Sequence, residues 1–209
     1  MAMPAEELTY TFADLLDWPE GERYELIDGV PYMLASPSRE HQEISMELSR
    51  QISSFLNGKP CRVYAAPFGV RLFAEAEDKP EDVEDYFEPD ITVVCDPEKL
   101  DDRGCHGAPD WIIEILSPSS RRHDLFVKFK LYEKAGVREY WAVDPASRSV
   151  QVFLREDGHF RNAAYQEGPG KLVSAVFPEL EIDVAAFFPT GPEKPEKRRR
   201  PMNLDEIEP

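Results

Sequence analysis

Short apolar stretches bounded by turn residues predict most of the β-strands in this chain. Residues 23–27 and 30–34 flank Asp28-Gly29, a dipeptide that favours a tight hairpin turn with positive φ. Residues 89–94 and 110–116 are rich in Ile, Val and Trp, which favour strands. The same pattern predicts further strands at residues 62–66, 69–73, 139–143, 150–154, 159–165 and 171–176.

Apolar residues at helical spacing predict two longer helices. In residues 38–56 they recur at intervals of three or four and stop before an Asn-Gly pair, which is a typical helix end. In residues 122–135 they follow i, i+4 and i+7 and are again followed by a glycine. Shorter helices are predicted at residues 11–16 and 184–188. Strands mixed with flanking helices predict an α/β or α+β protein built on a mixed sheet.

The composition predicts a folded globule followed by a polar tail. Of the 209 residues 42% are hydrophobic, and no apolar run approaches the ~18 residues of a membrane span. We expect one domain over residues 1–188 and a disordered, charged, proline-rich tail over residues 189–209. The N-terminus resembles no signal peptide and the three cysteines show no paired spacing, so we expect a cytoplasmic protein.

The charge balance is unusual for a nucleic-acid binder. The net charge is −17, from 24 Lys plus Arg and 41 Asp plus Glu, whereas most nucleic-acid binders carry a basic surface. Residues 75–102 hold 13 acids and two lysines, while residues 121–138 hold six Lys or Arg and two acids. The basic segment could still meet a phosphate backbone locally, with binding that is sensitive to salt.

Two carboxylates lie on the predicted strands 89–94 and 110–116. If these strands pair, Asp90 and Glu114 share one end of the sheet, and a helix that carries lysines follows directly. Hard oxygen ligands grouped in this way suit a divalent cation such as Mg²⁺. An adjacent ammonium would stabilise negative charge on a phosphate under attack. We therefore predict that Asp90 and Glu114 form one metal site.

Helical spacing selects one lysine from the predicted helix 122–135. At about 100° per residue, Lys128 lies about 60° from Leu125 and about 40° from Tyr132, both on the apolar face. Lys130 and Lys134 fall near the opposite face. Lys128 is therefore the lysine best placed to reach a site at the sheet edge. The alternative is a lysine that extends along the boundary of the core with its charge in water.

Two further residues are candidates for supporting roles. His41 is in register with the apolar stripe of the predicted helix 38–56, in its first turn. Glu25 stands in the first predicted hairpin strand and could add a third carboxylate. The alternatives are a hydrogen-bonded core histidine and an ordinary exposed strand acid.

Several segments resemble the Uma-two family of endonucleases, which belongs to the PD-(D/E)XK, restriction-endonuclease-like superfamily. The likeness is carried by residues 24–29, 89–90, 110–120 and 132–141, and it covers about residues 9–188. The resemblance implies a restriction-endonuclease-like mixed sheet flanked by helices. It also implies hydrolysis of phosphodiester bonds in nucleic acid, with DNA favoured over RNA and with Mg²⁺ or Mn²⁺ as cofactor.

The resemblance also implies roles for individual residues. Asp90 and Glu114 correspond to the two motif acids and are implied metal ligands. The usual lysine, two positions after the second acid, is absent because Leu116 occupies that place. The family takes its lysine from the following helix, and Lys128 matches that position.

Glu25 and His41 match other motif positions of the family, whose roles stay open. The displaced lysine and the acidic surface leave a second hypothesis, in which the chain is a catalytically silent copy of the fold. It would then act as an interaction module and form a homodimer.

Overall fold

The computed structural model describes residues 8–19 and 21–188. The strands are β1 (Tyr24–Ile27), β2 (Val30–Met33), β3 (Arg62–Ala65), β4 (Val70–Arg71), β5 (Ile91–Val94), β6 (Leu100–Asp101), β7 (Gly104–His106), β8 (Trp111–Ile115), β9 (Glu139–Asp144), β10 (Ser149–Glu156), β11 (His159–Glu167), β12 (Lys171–Val173) and β13 (Glu181–Asp183). The α-helices are α1 (Phe12–Leu16), α2 (Arg39–Leu56), α3 (Phe129–Ala135) and α4 (Val184–Phe187), and a π-helical segment, His123–Lys128, leads directly into α3.

A six-stranded mixed sheet organises the described chain, in the order β11-β10-β9-β8-β5-β3. Strands β8 and β9 are parallel, and the other neighbours in this sheet are antiparallel. A parallel pair needs a crossover connection, which the π-helical segment and α3 provide. This topology confirms the predicted α+β architecture, in which helices flank a mixed sheet.

The two faces of the sheet are covered by different helices. On one face, Ile44 and Leu48 of α2 pack in a buried cluster with Trp111 and Ile113 of β8. On the other face, Ile112 of the same strand belongs to a cluster that contains residues of α3. Since successive strand residues point to opposite faces, the side chain of Glu114 is directed to the α3 face.

The hairpin β1–β2 adjoins the main sheet and has the predicted turn. Asp28 and Gly29 both have positive φ, 48° and 72°, as a tight two-residue turn requires. Residues 26 and 86 form an isolated β-bridge that ties the hairpin to the segment before β5. This connection fixes β1 close to the end of β5 at which Asp90 lies.

The structure departs from the predicted elements in a few places. The predicted strand 69–73 is reduced to β4, and the predicted strand 171–176 ends with β12. The predicted helix 122–135 begins as the π-helical segment rather than as an α-helix. The predicted disordered tail, residues 189–209, lies outside the described residues. Among the helices described, none is long and apolar enough to cross a membrane.

The cysteines require a correction. The cysteine spacing in the sequence predicts no pairing, yet Cys61 and Cys95 form a disulfide across 34 residues. The reason is the antiparallel register of β3 and β5, in which Arg62 opposes Val94 and the next residues outward are the two cysteines. The third cysteine, Cys105, is free and buried, and its burial raises the pKa of its thiol to about 12. A cytoplasmic location stays a prediction.

Candidate active site

Asp90 and Glu114 lie side by side at one end of β5 and β8. In this antiparallel pair Ile91 opposes Ile113, so the residues that follow in register are Asp90 and Glu114. The backbone amide of Asp90 lies 3.4 Å from Oε2 of Glu114. In return, Oδ2 of Asp90 accepts a hydrogen bond of 2.7 Å from the amide of Ile115. The structure therefore brings the two predicted acids together.

Glu114 is buried and held by side chains from the following helix. Its Oε1 accepts a hydrogen bond of 2.7 Å from the hydroxyl of Tyr132 and another of 3.0 Å from Nζ of Lys128. Burial raises the pKa of Glu114 well above its usual value, and the positive charge of Lys128 opposes that rise. The donors fix this carboxylate with Oε1 turned towards the helix.

Lys128 is only 4% exposed and lies among three carboxylates. Its Nζ is 2.8 Å from Glu25, 3.0 Å from Glu114 and 3.5 Å from Asp124. An ammonium has three N–H donors, and three acceptors surround this one. Burial alone would lower the pKa of Lys128, but the carboxylates of Glu114, Glu25 and Asp124 raise it well above its usual value. The surrounding carboxylates therefore favour the charged form of the lysine.

Lys128 lies at the sheet edge, as its helical spacing predicts, although this part of the helix has π geometry. Lys130 and Lys134 are exposed, as their spacing predicts. Leu116, in the place of the usual motif lysine, is buried in the apolar cluster that contains Ile112 and Tyr132. Lys128, from the helix that follows β8, contacts Glu114 in place of a lysine from the strand itself.

Glu25 is a buried member of the same cluster and not an exposed strand acid. Its Oε1 contacts Lys128 and accepts a hydrogen bond of 3.0 Å from the amide of Glu88. Residue 88 lies two positions before Asp90, so Glu25 links the hairpin to the start of β5. The hairpin therefore contributes a third carboxylate from a separate part of the chain.

His41 adjoins Asp90 from the first turn of α2. Its backbone amide donates to the side chain of Ser38, the N-cap residue, and its Nε2 lies 3.1 Å from Oδ1 of Asp90. Burial lowers the pKa of His41, but the hydrogen bond and charge of Asp90 together with the charge of Asp124 raise it overall. Its Nδ1 is buried and has no hydrogen-bond partner among the described residues. Asp90 therefore favours the protonated form of His41.

Asp124 belongs to the site but was missed by the sequence analysis. It is buried in the π-helical segment, one turn before Lys128. Burial raises the pKa of Asp124, while the charge of Lys128 and a hydrogen bond from Ser120 oppose the rise. The sequence signal was the i, i+4 spacing of the acid and the lysine, which is equally common in surface ion pairs.

The loop between β8 and the helix is held by its own hydroxyl groups. The hydroxyl of Ser120 accepts hydrogen bonds from the amide and the hydroxyl of Ser117, and Ser117 in turn accepts one from the amide of Ser120. Ser117 and Ser119 hydroxyls are 3.0 Å apart. These contacts are those of a turn that precedes a helix.

The carboxylate pair fits a Mg²⁺ ion that keeps part of its water shell. Asp90 and Glu114 present adjacent hard oxygen ligands, and the site holds more acids than cations. Within residues 8–19 and 21–188, no three side chains of Asp, Glu, His or Cys are arranged to enclose a metal ion. Mg²⁺ is usually held by one or two carboxylates, by waters and by substrate phosphates. The donors therefore suit an open two-carboxylate site and not an all-protein cage.

Comparison with known proteins identifies the family. Residues 12–185 match the family described as "Uma2: Putative restriction endonuclease", so the chain belongs to the Uma2 family. This confirms the resemblance found in the sequence. The family match supports a nuclease-like role.

The similar proteins include a curated relative and a solved structure. The uncharacterized protein slr1290 of Synechocystis sp. is 25% identical over 175 residues, which cover 82% of this chain and 88% of the relative. The crystal structure of a putative nuclease belonging to DUF820 from Anabaena variabilis superposes with a TM-score of 0.67 at 22% identity, covering 85% of this chain and 97% of that one. The structural match confirms the restriction-endonuclease-like fold.

Proposed function

We propose that this protein is a metal-dependent endonuclease that hydrolyses phosphodiester bonds of nucleic acid, with DNA as the favoured substrate. The observation that carries the proposal is the contact between Lys128 and Glu114, 3.0 Å apart, beside Asp90. Two acids and one lysine at the end of paired strands supply the groups that phosphodiester hydrolysis requires. The family match supports the same reaction class.

Asp90 and Glu114 would hold the metal ion, Mg²⁺ or Mn²⁺. Such an ion supplies positive charge for the scissile phosphate and lowers the pKa of a bound water. Oδ1 of Asp90 accepts from His41 and Oδ2 from the amide of Ile115, so the carboxylate is fixed in orientation before any ion binds. The hydroxyl of Tyr132 likewise fixes the orientation of the Glu114 carboxylate. Preorganised ligands of this kind need little rearrangement.

Lys128 would stabilise charge as it develops on the reacting phosphate. Three carboxylates surround its ammonium and favour the charged form. A buried charge acts more strongly than one in water, since little solvent screens it. In this proposal Lys128 is the catalytic cation, and Glu25 and Asp124 are the positioning residues that keep its Nζ beside Glu114.

His41 would contact the substrate phosphate or hold Asp90 in place. Its side chain is 16% exposed and that of Asp90 is 18% exposed, whereas Glu25, Glu114 and Lys128 are almost fully buried. A phosphate approaching from solvent therefore meets Asp90 and His41 first. The raised pKa of His41 favours its cationic form at this entrance.

A cleavage assay tests the proposed function. Supercoiled and linear DNA, and an RNA of the same sequence, are incubated with the full chain and Mg²⁺, Mn²⁺ or EDTA. The proposal predicts nicking or fragmentation of DNA that requires the metal and is abolished in Asp90→Ala. Equal activity of the wild type and Asp90→Ala would indicate a contaminating nuclease and contradict the proposal.

The alternative is a catalytically silent interaction module that forms a homodimer. It is favoured by the net charge of −17, which opposes approach of a polyanion. It predicts no cleavage of any substrate with either metal and a dimer in sedimentation equilibrium. A monomeric protein that cleaves DNA would exclude it.

A further inference from the structure

An aromatic ring of the hairpin borders the candidate active site. Tyr32 of β2 pairs with Glu25 of β1 in the antiparallel register. Directly opposed residues of an antiparallel pair point to the same face. Because the side chain of Glu25 reaches Lys128, that face is directed towards the site. Tyr32 nevertheless remains 41% exposed.

A second element completes this border from the opposite side. The ring of His123 lies 4.8 Å from that of Tyr32, at an interplanar angle of 45°. His123 begins the π-helical segment, which also carries the exposed side chains of Phe126 and Val127. We call the ring pair of Tyr32 and His123 the apolar rim. It joins the hairpin that provides Glu25 to the segment that provides Asp124 and Lys128.

The charge of the protein limits how this rim could meet a nucleic acid. Duplex binding depends mainly on Lys and Arg contacts to phosphates. This chain has 24 such residues against 41 acids. Stacking of a base on an aromatic ring needs no positive charge and tolerates any base sequence. A base can use both of its faces in this way only when it is not stacked in a duplex.

We propose that the apolar rim binds an unpaired nucleobase, and that the substrate class is single-stranded or locally unpaired nucleic acid. The proposal rests on the proposed nuclease function and names its substrate. Tyr32 supplies the exposed ring on which the base stacks, and His123 supports that ring from below. The adjoining phosphate then lies towards Asp90 and His41, the two site residues nearest to solvent.

The proposal is tested by binding in EDTA, where no metal-dependent cleavage occurs. The full chain is titrated into single-stranded DNA or RNA that contains 2-aminopurine, and into a duplex of the same sequence. Stacking on Tyr32 should quench the fluorescence of the single strand. Tyr32→Ala should weaken single-strand binding by about tenfold, the scale of one base–aromatic stack, and duplex binding by less than about twofold. Tyr32→Trp should retain the affinity.

Met33→Ala is the matched control. Met33 is the next residue of the same strand and is 66% exposed, but successive strand residues point to opposite faces. It should leave single-strand binding unchanged. Equal effects of Tyr32→Ala and Met33→Ala, equal losses on single strand and duplex, or wild-type preference for the duplex would overturn the proposal.

The design separates this proposal from the proposed function. Cleavage of DNA with Mg²⁺ but no effect of Tyr32→Ala on single-strand binding would refute the apolar rim alone. Absence of cleavage would refute the nuclease function, while the EDTA titration still decides whether the rim binds an unpaired base. If Tyr32→Ala converts a dimer into monomers but leaves oligonucleotide binding unchanged, the rim is a contact between two copies of the chain. That result would overturn the proposal.

Discussion

Nζ of Lys128 lies 3.0 Å from Oε1 of Glu114, although the two residues come from different elements 14 positions apart. The strand delivers the acid and the following helix delivers the lysine, so the pair forms only when the helix packs on that face of the sheet. Leu116 occupies the strand position two residues after Glu114 and is part of the apolar core. The ammonium therefore reaches the carboxylate from the helix and not from the strand that carries it.

The first prediction concerns the metal site. A crystal soaked in Mn²⁺ should show anomalous density between Asp90 and Glu114, because their carboxylates are adjacent and fixed by hydrogen bonds. Asp90→Ala should lose this density, whereas Glu181→Gln, at an exposed acid far along the chain, should keep it. Density at surface acids only, with none at Asp90 and Glu114, would contradict the assignment.

Much of the fold and part of the site could be predicted from the sequence. Short apolar stretches bounded by turn residues and the i, i+4, i+7 spacing of the helix depend on local sequence alone, and they placed Asp90, Glu114 and Lys128 near one end of the sheet. The Asp-Gly turn between β1 and β2 was predicted for the same reason. Each of these features is determined by residues that are close together in the sequence.

The features that were missed depend on contacts between distant parts of the chain. The disulfide of Cys61 and Cys95 follows from the register of β3 against β5, which no spacing reveals. The burial of Asp124 depends on packing of the π-helical segment against the sheet. The sequence leaves open whether Glu25 is an exposed strand acid, because its burial depends on the packing of the hairpin beside Lys128.

The second prediction concerns the coupling of Lys128 to Asp124. Lys128→Met leaves several buried carboxylates without their counter-ion and should lower the free energy of unfolding by about 3–5 kcal/mol. In the Lys128→Met background, Asp124→Asn removes one unpaired charge. It should therefore lower the free energy of unfolding by less than it does in the wild type. Denaturant unfolding of the two single variants and the double variant should give a coupling of about 1 kcal/mol or more.

The control for this cycle uses Lys134, which is exposed. Lys134→Met and Asp124→Asn should have additive effects on the free energy of unfolding. Additivity of Asp124→Asn with Lys128→Met as well would show that the two side chains do not interact.

The third prediction concerns the pH dependence of stability. The pKa of His41 is raised in the folded protein, chiefly by Asp90 against the opposing effect of burial. Its protonation therefore stabilises the fold fully below the unfolded pKa of about 6.5, and this contribution is lost as the pH rises through the folded pKa. In EDTA, the difference in unfolding free energy between wild type and His41→Gln should shrink as the pH rises.

Asp90→Asn provides the comparison, since it removes the carboxylate charge beside His41. In that background the effect of His41→Gln on the free energy of unfolding should change less with pH. A His41→Gln difference that grows as the pH rises would contradict the cationic role given to His41.

The central claim is that Lys128 acts on the reacting phosphate. The most direct measurement is the rate of metal-dependent DNA cleavage by Lys128→Met, Lys130→Met and Lys134→Met, at a temperature at which circular dichroism shows all three variants to be folded. Lys128→Met should lose about 10²-fold or more, the scale of removing one preorganised electrostatic group. Lys130→Met and Lys134→Met should mainly weaken binding, by an amount that shrinks as salt rises. Equal, modest losses in all three variants would contradict the account.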